Sequence, residues 1–285
     1  MASQTQHPDL PLPDYFSQFA KNYVTQTGRT TFNILADVIS EHVQTSAQPI
    51  GPDSVVHDTA AGPGIGAAAI AARLPKDKLP KEVLVSDNNE KMIEMAPEFM
   101  PGSPLPHVEY KTLDSEDLSA EVTDNYFTHS INNFSIFAIN HPATAIRETY
   151  RTLRPSGLAV VTCWRRFPPT LIVRATQKKI RPDLGPVTAP GENFLEEGEL
   201  QRVVEEGGFA KGNITVVEKT LLVTDKENIE GLIMFMTGPM MARARENYTE
   251  AEQSKWAEVI RESVNEEVAE LGGIKFDAYI LIATK

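Results

Sequence analysis

The sequence predicts an α/β domain built on a doubly wound, parallel sheet. Three observations predict it. Apolar, strand-like runs alternate with helix-like segments between residues 54 and 163, and such alternation buries a parallel sheet under helices on both faces. A glycine turn, Gly62-Pro63-Gly64-Ile65-Gly66, joins the first apolar run to an Ala-rich segment; glycines remove Cβ atoms, so a ligand can lie against bare backbone. Asp87 follows the second apolar run, about 20 residues beyond the turn, the spacing at which a carboxylate takes a ribose diol. A nucleoside-bearing cofactor follows from the last two.

The elements come in this order. Residues 1–13 are polar and Pro-rich and read as a disordered leader; they lack the basic-then-apolar order of a secretory signal. A single domain is expected over 14–285. Phe16, Phe19 and Tyr23, then Phe32, Leu35, Val38 and Ile39, recur at helical spacing and predict a helical cap over 14–46. The cofactor-binding core, 50–165, reads as strand 54–58, helix 65–74, strand 82–86, helix 89–98, strands 107–112 and 126–131, helix 142–153 and strand 158–163. Pro142 suits the first turn of its helix. Residues 166–196 are rich in proline around a short helix near 170–179. Helix 197–207 ends at Gly207-Gly208, and strand 213–223 follows. An insertion over 225–272 contains a break at Gly238-Pro239 and a helix opened by Thr249 with Glu252 three residues on, a capping box. Residues 274–284 alternate into a closing strand. The segments 166–196 and 225–272 are candidates for a substrate lid.

Composition narrows the partners. The chain has 285 residues and a formal net charge of −12, without a dense Lys/Arg cluster; nucleic-acid binding through phosphates normally shows one. No apolar run is long enough to span a membrane. Cys163 is the one cysteine, which excludes an internal disulfide and suits a reducing, cytoplasmic setting. The six histidines form no i, i+4 pair, so no metal is expected. A small-molecule partner is the expectation.

The glycine turn alone also satisfies a relaxed dinucleotide fingerprint. Three features argue against a nicotinamide cofactor. Asp58 sits four residues ahead of Gly62. No basic residue lies near the turn to hold a pyrophosphate. A further acid, Asp114, follows the third strand, where it can accept from an exocyclic adenine amine.

Asp58-x-x-x-Gly62-x-Gly64-x-Gly66, Asp87 after strand two, Asp114-Ser115 after strand three, and Tyr150-Arg151-x-Leu153-x-Pro155-x-Gly157 before strand five resemble, in order and spacing, the motifs of class I S-adenosylmethionine-dependent methyltransferases. The resemblance covers about residues 50–165. The flanks more loosely resemble fungal small-molecule (natural-product) methyltransferases. Two positions depart from the pattern. The acid usual in strand four is replaced within Phe127-Thr128-His129, and the usual glycine after Pro155 is Ser156.

The resemblance implies a Rossmann-like, seven-stranded sheet whose last strand is antiparallel. It implies S-adenosyl-L-methionine as cofactor and methyl transfer to an S, O or N atom of a small, largely apolar acceptor of secondary-metabolite type. The cofactor residues it implies are Asp58, Gly62, Gly64, Gly66, Asp87, Asn88, Met92, Asp114, Ser115 and Asn132. Phe16, Tyr23, Met236 and Met240 are the acceptor candidates. No catalytic base is assigned; His129, His141 and Tyr23 are the candidates. Several residues keep a second reading. Asp87 can instead cap the helix beginning near Asn89, Asp114 can serve its turn, and the methionines at 234, 236, 240 and 241 can be core fillers. A cofactor-binding regulator, a protein methyltransferase and an NAD-dependent oxidoreductase are the alternative functions.

Overall fold

A computed structural model describes residues 27, 29–100, 102–188 and 191–285. The leader and the first half of the cap, with Phe16 and Tyr23, lie outside the described residues. Seven strands form one sheet in the order β3-β2-β1-β4-β5-β7-β6. They are β1 (Val55–Thr59), β2 (Glu82–Asp87), β3 (Val108–Thr112), β4 (Phe127–Asn133), β5 (Leu153–Arg166), β6 (Ile214–Val223) and β7 (Ile274–Thr284). The pairs from β3 to β5 are parallel, and β7 runs antiparallel to both of its neighbours. This is the Rossmann-like sheet with an antiparallel last strand. Strand order reverses between β1 and β4, and ligands of such sheets bind at that switch point, beyond the carboxyl ends.

The helices follow from the pattern. α1 (Arg29–Val38) continues into a wider turn, Ile39–Val43. Leu35, Val38 and Ile39 are buried, as the cap periodicity predicts. α2 (Ile65–Arg73) opens at Gly64, and α3 (Glu90–Phe99) is capped by Asn89, whose Oδ1 accepts from the amides of Lys91 and Met92. α4 (Pro142–Thr152) carries Pro142 in its first turn. α5 (Pro168–Ile180), α6 (Glu199–Glu206), α7 (Lys226–Thr237) and α8 (Glu250–Leu271) are the other α-helices among the described residues. The Thr249–Glu252 capping box is formed in full, satisfying two amides that the helix itself leaves unpaired.

Side chains alternate across the sheet, so each strand feeds two cores. Leu158, Val160 and Trp164 of β5 pack with residues of α1, α2, α3, α5, α7 and α8. Ala159, Val161 and Cys163 pack with residues of α4 and α6 on the other face. The two late insertions pack on each other. Gln177 of α5 donates to the Ala244 carbonyl at 2.7 Å and accepts from the Val187 amide at 3.0 Å. Thr176 Oγ1 donates to Ser263 Oγ on α8 at 3.2 Å.

Ser156, the residue standing in place of the usual glycine, has φ +65°. A left-handed backbone costs a side chain about 1–2 kcal/mol, partly offset in glycine by its larger unfolded-state entropy. Ser156→Gly is therefore expected to raise stability by about 0.5–1 kcal/mol in a urea titration, with the Ser156 amide still donating to the Lys285 carbonyl. A loss of stability contradicts the strain argument.

Candidate cofactor site

The buried strand β1 delivers its chain to the switch point, and a tight turn returns it into α2. Ala60 has φ +47°, Gly62 +54° and Gly64 +86°. The turn is tied to β2 twice. The Ala61 amide donates to the Ser86 carbonyl at 2.9 Å, and the Gly62 amide to Asp87 Oδ2 at 2.8 Å. Asp87 Oδ1 accepts from the Asn89 amide at 2.9 Å. Asp87 thus clamps the turn, while Asn89 caps α3. A carboxylate has about four lone-pair sites, so two remain for a ligand's hydroxyl donors.

The three glycines do different work. A Cβ built on Gly62 meets no atom of the described residues within 4 Å. One on Gly64 would lie 3.3 Å from Met100 Cε and 3.5 Å from Val85 Cγ1, on the protein side. One on Gly66 would lie 2.6 Å from Asp58 Cγ. The missing Cβ of Gly66 makes room for the Asp58 carboxylate. Asp58 is fully buried; its Oδ2 accepts from the Ala67 amide at 2.9 Å, and among the described residues no hydrogen bond reaches its Oδ1.

Burial sets the titration of this strand. It pushes Asp58 up to about 7, against the pull of the Ala67 amide, and raises Asp87 as well. It lowers His57 to about 3. His57 is stacked on Phe127 at 4.6 Å and shares a hydrogen bond with Ser86 Oγ at 2.8 Å. The two neighbours act on stability with opposite signs. Between pH 4 and 7 the unfolded Asp58 loses its proton while the folded one keeps it, so stability falls as pH rises. Between pH 3 and 6.5 the unfolded His57 gains a proton that the folded one refuses, so stability falls as pH drops. Asp58→Asn removes the first slope. Relative to the parent, its stability is expected to climb more steeply from pH 4 to 6.5, by an amount on the order of a few kcal/mol. Urea titrations at four pH values measure it; parallel profiles for the two proteins contradict it.

The remaining candidates divide. Asn88 is exposed beside Asp87, and Met92 lies on the buried face of α3. Asp114 is exposed after β3, where its Oδ1 accepts from the Glu116 amide at 2.9 Å and its carbonyl from the Asp117 amide at 3.1 Å. Ser115 is half-buried in the same turn. Asn132 is the next-to-last residue of β4, with its Oδ1 accepting from Ser135 Oγ at 2.9 Å. These residues surround the carboxyl ends of β1 to β4.

The histidines stand elsewhere. His129 lies in the first half of β4, opposite Val56. Both its ring nitrogens are engaged, one with Thr128 Oγ1 at 2.8 Å and one with the Gln48 carbonyl at 2.9 Å, and burial lowers its pKa. It is a tether for the loop before β1. His141 is exposed and pairs with Glu116 at 2.6 Å. Met236 is 0% exposed within the core, and its carbonyl accepts from Trp256 Nε1 at 3.1 Å; this setting is that of a core filler, whereas Met234 is 49% exposed. Met240 lies in the short segment Pro239–Arg245. Among the described residues no group of His, Cys, Asp and Glu is placed to hold a metal ion, and no helix is long and apolar enough to cross a membrane.

Two residues at the switch point escaped the sequence reading. Phe134, just after β4, has φ +53° and stacks on Trp164 at 3.9 Å. Thr162 in β5 accepts a hydrogen bond from the Phe134 amide. The legible signal was a hydroxyl inside the apolar run Ala159-Val160-Val161-Thr162-Cys163.

The sheet order and the strand directions define a Rossmann-like α/β protein. The family described as "Methyltransferase domain" matches residues 58–161. Methyltransferase tpcH of Aspergillus fumigatus is 22% identical over 180 residues, covering 61% of this chain and 63% of that protein. The ubiquinone/menaquinone biosynthesis C-methyltransferase UbiE of Hydrogenovibrio crunogenus is 27% identical over 177 residues, covering 57% and 68%. The match thus spans a little under two thirds of the first relative's length. Among solved structures, phosphoethanolamine N-methyltransferase 2 of Haemonchus contortus, in complex with phosphomonomethylethanolamine and S-adenosylhomocysteine, superposes with a TM-score of 0.52 at 14% identity, covering 98% of this chain and 61% of that one. A Bacillus halodurans protein classed with the methyltransferases gives 0.51 at 18% identity, covering 87% and 98%. The structural likenesses concern the fold. Residues 58–161 thus match a methyltransferase domain, and S-adenosylmethionine is the cofactor that this match indicates.

Proposed function

We propose that this chain transfers the methyl group of S-adenosylmethionine to an S, O or N atom of a small, largely apolar acceptor. The observation that carries the reading is the Asp87 clamp: a carboxylate at the end of β2 fixes the Gly62 amide and keeps acceptor sites for a ligand, beside a glycine whose missing Cβ would meet none of the described residues. An adenosine's vicinal hydroxyls are donors that suit it. The bound cofactor would supply a methyl carbon already activated by its sulfonium. Asp87 would take the ribose hydroxyls, with Asn88 beside it. Asp114 and Ser115 would stand at the adenine, and Asn132 at the β4 tip.

With the cofactor bound, the site would hold the acceptor's lone pair in line with the activated methyl carbon, the sulfonium would leave as the neutral thioether, and the acceptor's proton would be released to bulk solvent. Little side-chain chemistry is needed beyond in-line placement in a dry pocket. That fits a site whose two histidine candidates are engaged in tethering and in a surface ion pair. Apolar walls are available: Phe134, Trp164, Phe167 and Phe276 form a continuous aromatic cluster from the tip of β4 to β7. The similar C-methyltransferase named for ubiquinone/menaquinone biosynthesis supports a small-molecule acceptor, though not the choice of acceptor atom. Secondary metabolism, a cytoplasmic setting, and a lid made by the 166–196 and 225–272 segments belong to the same proposal.

The test is incubation with methyl-labelled S-adenosylmethionine and a small-molecule extract of the source cells, followed by mass spectrometry. A low-molecular-weight product heavier by one labelled methyl is expected. Label appearing only on protein, when whole lysate is supplied, would give the reading to a protein acceptor.

A further inference from the structure

Thr162 is fully buried in β5 and stands opposite Asn133 in the β4–β5 ladder. Its hydroxyl accepts from the Phe134 amide at 2.8 Å and donates to Asn133 Oδ1 at 3.0 Å. The Asn133 side-chain amide donates in turn to the Thr31 carbonyl of α1 at 3.5 Å. One hydroxyl therefore ties together the cap helix, the end of β4 and the residue that follows it.

What it holds is unusual. Among the described residues, four non-glycines have a positive φ: Ala60, Asn125, Phe134 and Ser156. Ala60 follows β1 and Phe134 follows β4, and these are the neighbouring strands between which the order reverses. The last β1–β4 pair is Asp58 with Ile131, so both left-handed residues lie just beyond it. Side chains other than glycine rarely adopt this backbone, and it persists only where the surroundings impose it. At Phe134 those surroundings are the Thr162 hydroxyl on the backbone and Trp164 under the ring, its plane tilted by 26°.

We propose that Thr162 is a positioning residue for the cofactor site: its hydroxyl holds residues 132–134 in the conformation that forms the β4 side of the switch point. The proposal rests on S-adenosylmethionine occupying that point. A hydroxyl with one donor and two acceptor sites is needed, because the two partners require opposite roles. Valine has the same shape and neither role. With valine, the Phe134 amide and Asn133 Oδ1 lose their partner, and the left-handed tip loses its restraint.

The experiment compares Thr162→Val and Thr162→Ser. S-Adenosylhomocysteine is titrated by calorimetry, and near-ultraviolet circular dichroism reads the Phe134–Trp164 stack without any ligand. Thr162→Val is expected to bind at least about tenfold more weakly and to lose part of the aromatic signal. Thr162→Ser, which keeps the hydroxyl, is expected to stay within about threefold and to keep the signal. A melting loss in Thr162→Val with unchanged affinity overturns the proposal, as does equal weakening in both variants. If the parent itself fails to bind S-adenosylhomocysteine, the cofactor reading falls and this role falls with it. If in addition the aromatic signal is the same in all three proteins, the clamp on Phe134 is disproved separately. Should Thr162→Val not fold, Phe134→Gly/Thr162→Val supplies the second reading. Glycine adopts the left-handed tip without restraint, so the double variant is expected to fold and to bind; failure to bind while folded overturns the proposal.

Discussion

Gly66→Ala is expected to cost about 3 kcal/mol of stability and at least about tenfold in S-adenosylhomocysteine affinity. On an exposed helix the sign would be opposite, since alanine is favoured over glycine by about 1 kcal/mol. Here the new methyl group would lie 2.6 Å from Asp58 Cγ and 2.8 Å from Oδ2. Asp58 is fully buried and bonded to the Ala67 amide, so it cannot swing aside without giving up that bond. The start of α2 must shift instead, and the Gly62 turn shifts with it. A double-variant cycle separates this clash from a general effect. Asp58→Ala removes the obstructing carboxylate, so Gly66→Ala should be far milder on that background. Additive losses in urea titrations would show that Asp58 and Gly66 do not oppose each other.

The second large effect falls on α7. Met236→Ala is expected to destabilise by about 2–5 kcal/mol, the range for emptying a buried site. Met236 is 0% exposed within the core, beside a backbone hydrogen bond from Trp256. Met234, two residues earlier, is 49% exposed, and Met234→Ala should change stability by under about 0.5 kcal/mol. Affinity for S-adenosylhomocysteine should remain within about threefold in both. The pair is measured by denaturant unfolding and calorimetry on the same preparations. Equal, small stability losses would return Met236 to the acceptor pocket.

These two residues mark where the sequence was silent. The sheet was legible because apolar runs of strand length alternate with helical ones, and because the Gly62 turn and Asp87 sit at fixed places in that alternation. The Thr249–Glu252 box was legible because both partners lie within one helical turn. Gly66 was not, because whether a missing Cβ faces a ligand or a neighbouring carboxylate depends on where the side chain of Asp58, eight residues earlier, points in space, which no pattern records. Met236 sits in Gly231-Leu232-Ile233-Met234-Phe235-Met236, apolar on all sides, so periodicity could not choose the buried face. Asn89 and Asp87 are both good caps two residues apart, and only the position of the Gly62 amide assigns one to the helix and the other to the turn. His129 read as a catalytic candidate from its type; its place in the first half of β4, away from the carboxyl edge, is a matter of register. Thr162 acts on Phe134 across 28 residues, a distance no local pattern spans.

The central claim is that the Asp87-clamped turn at the β1–β4 switch point holds the nucleoside of S-adenosylmethionine. Calorimetric titration of the chain with S-adenosylhomocysteine, and in parallel with NADH, tests it most directly. Saturable, one-to-one binding of S-adenosylhomocysteine is expected, with no heat of binding from NADH. Saturable binding of NADH with none of S-adenosylhomocysteine would contradict it.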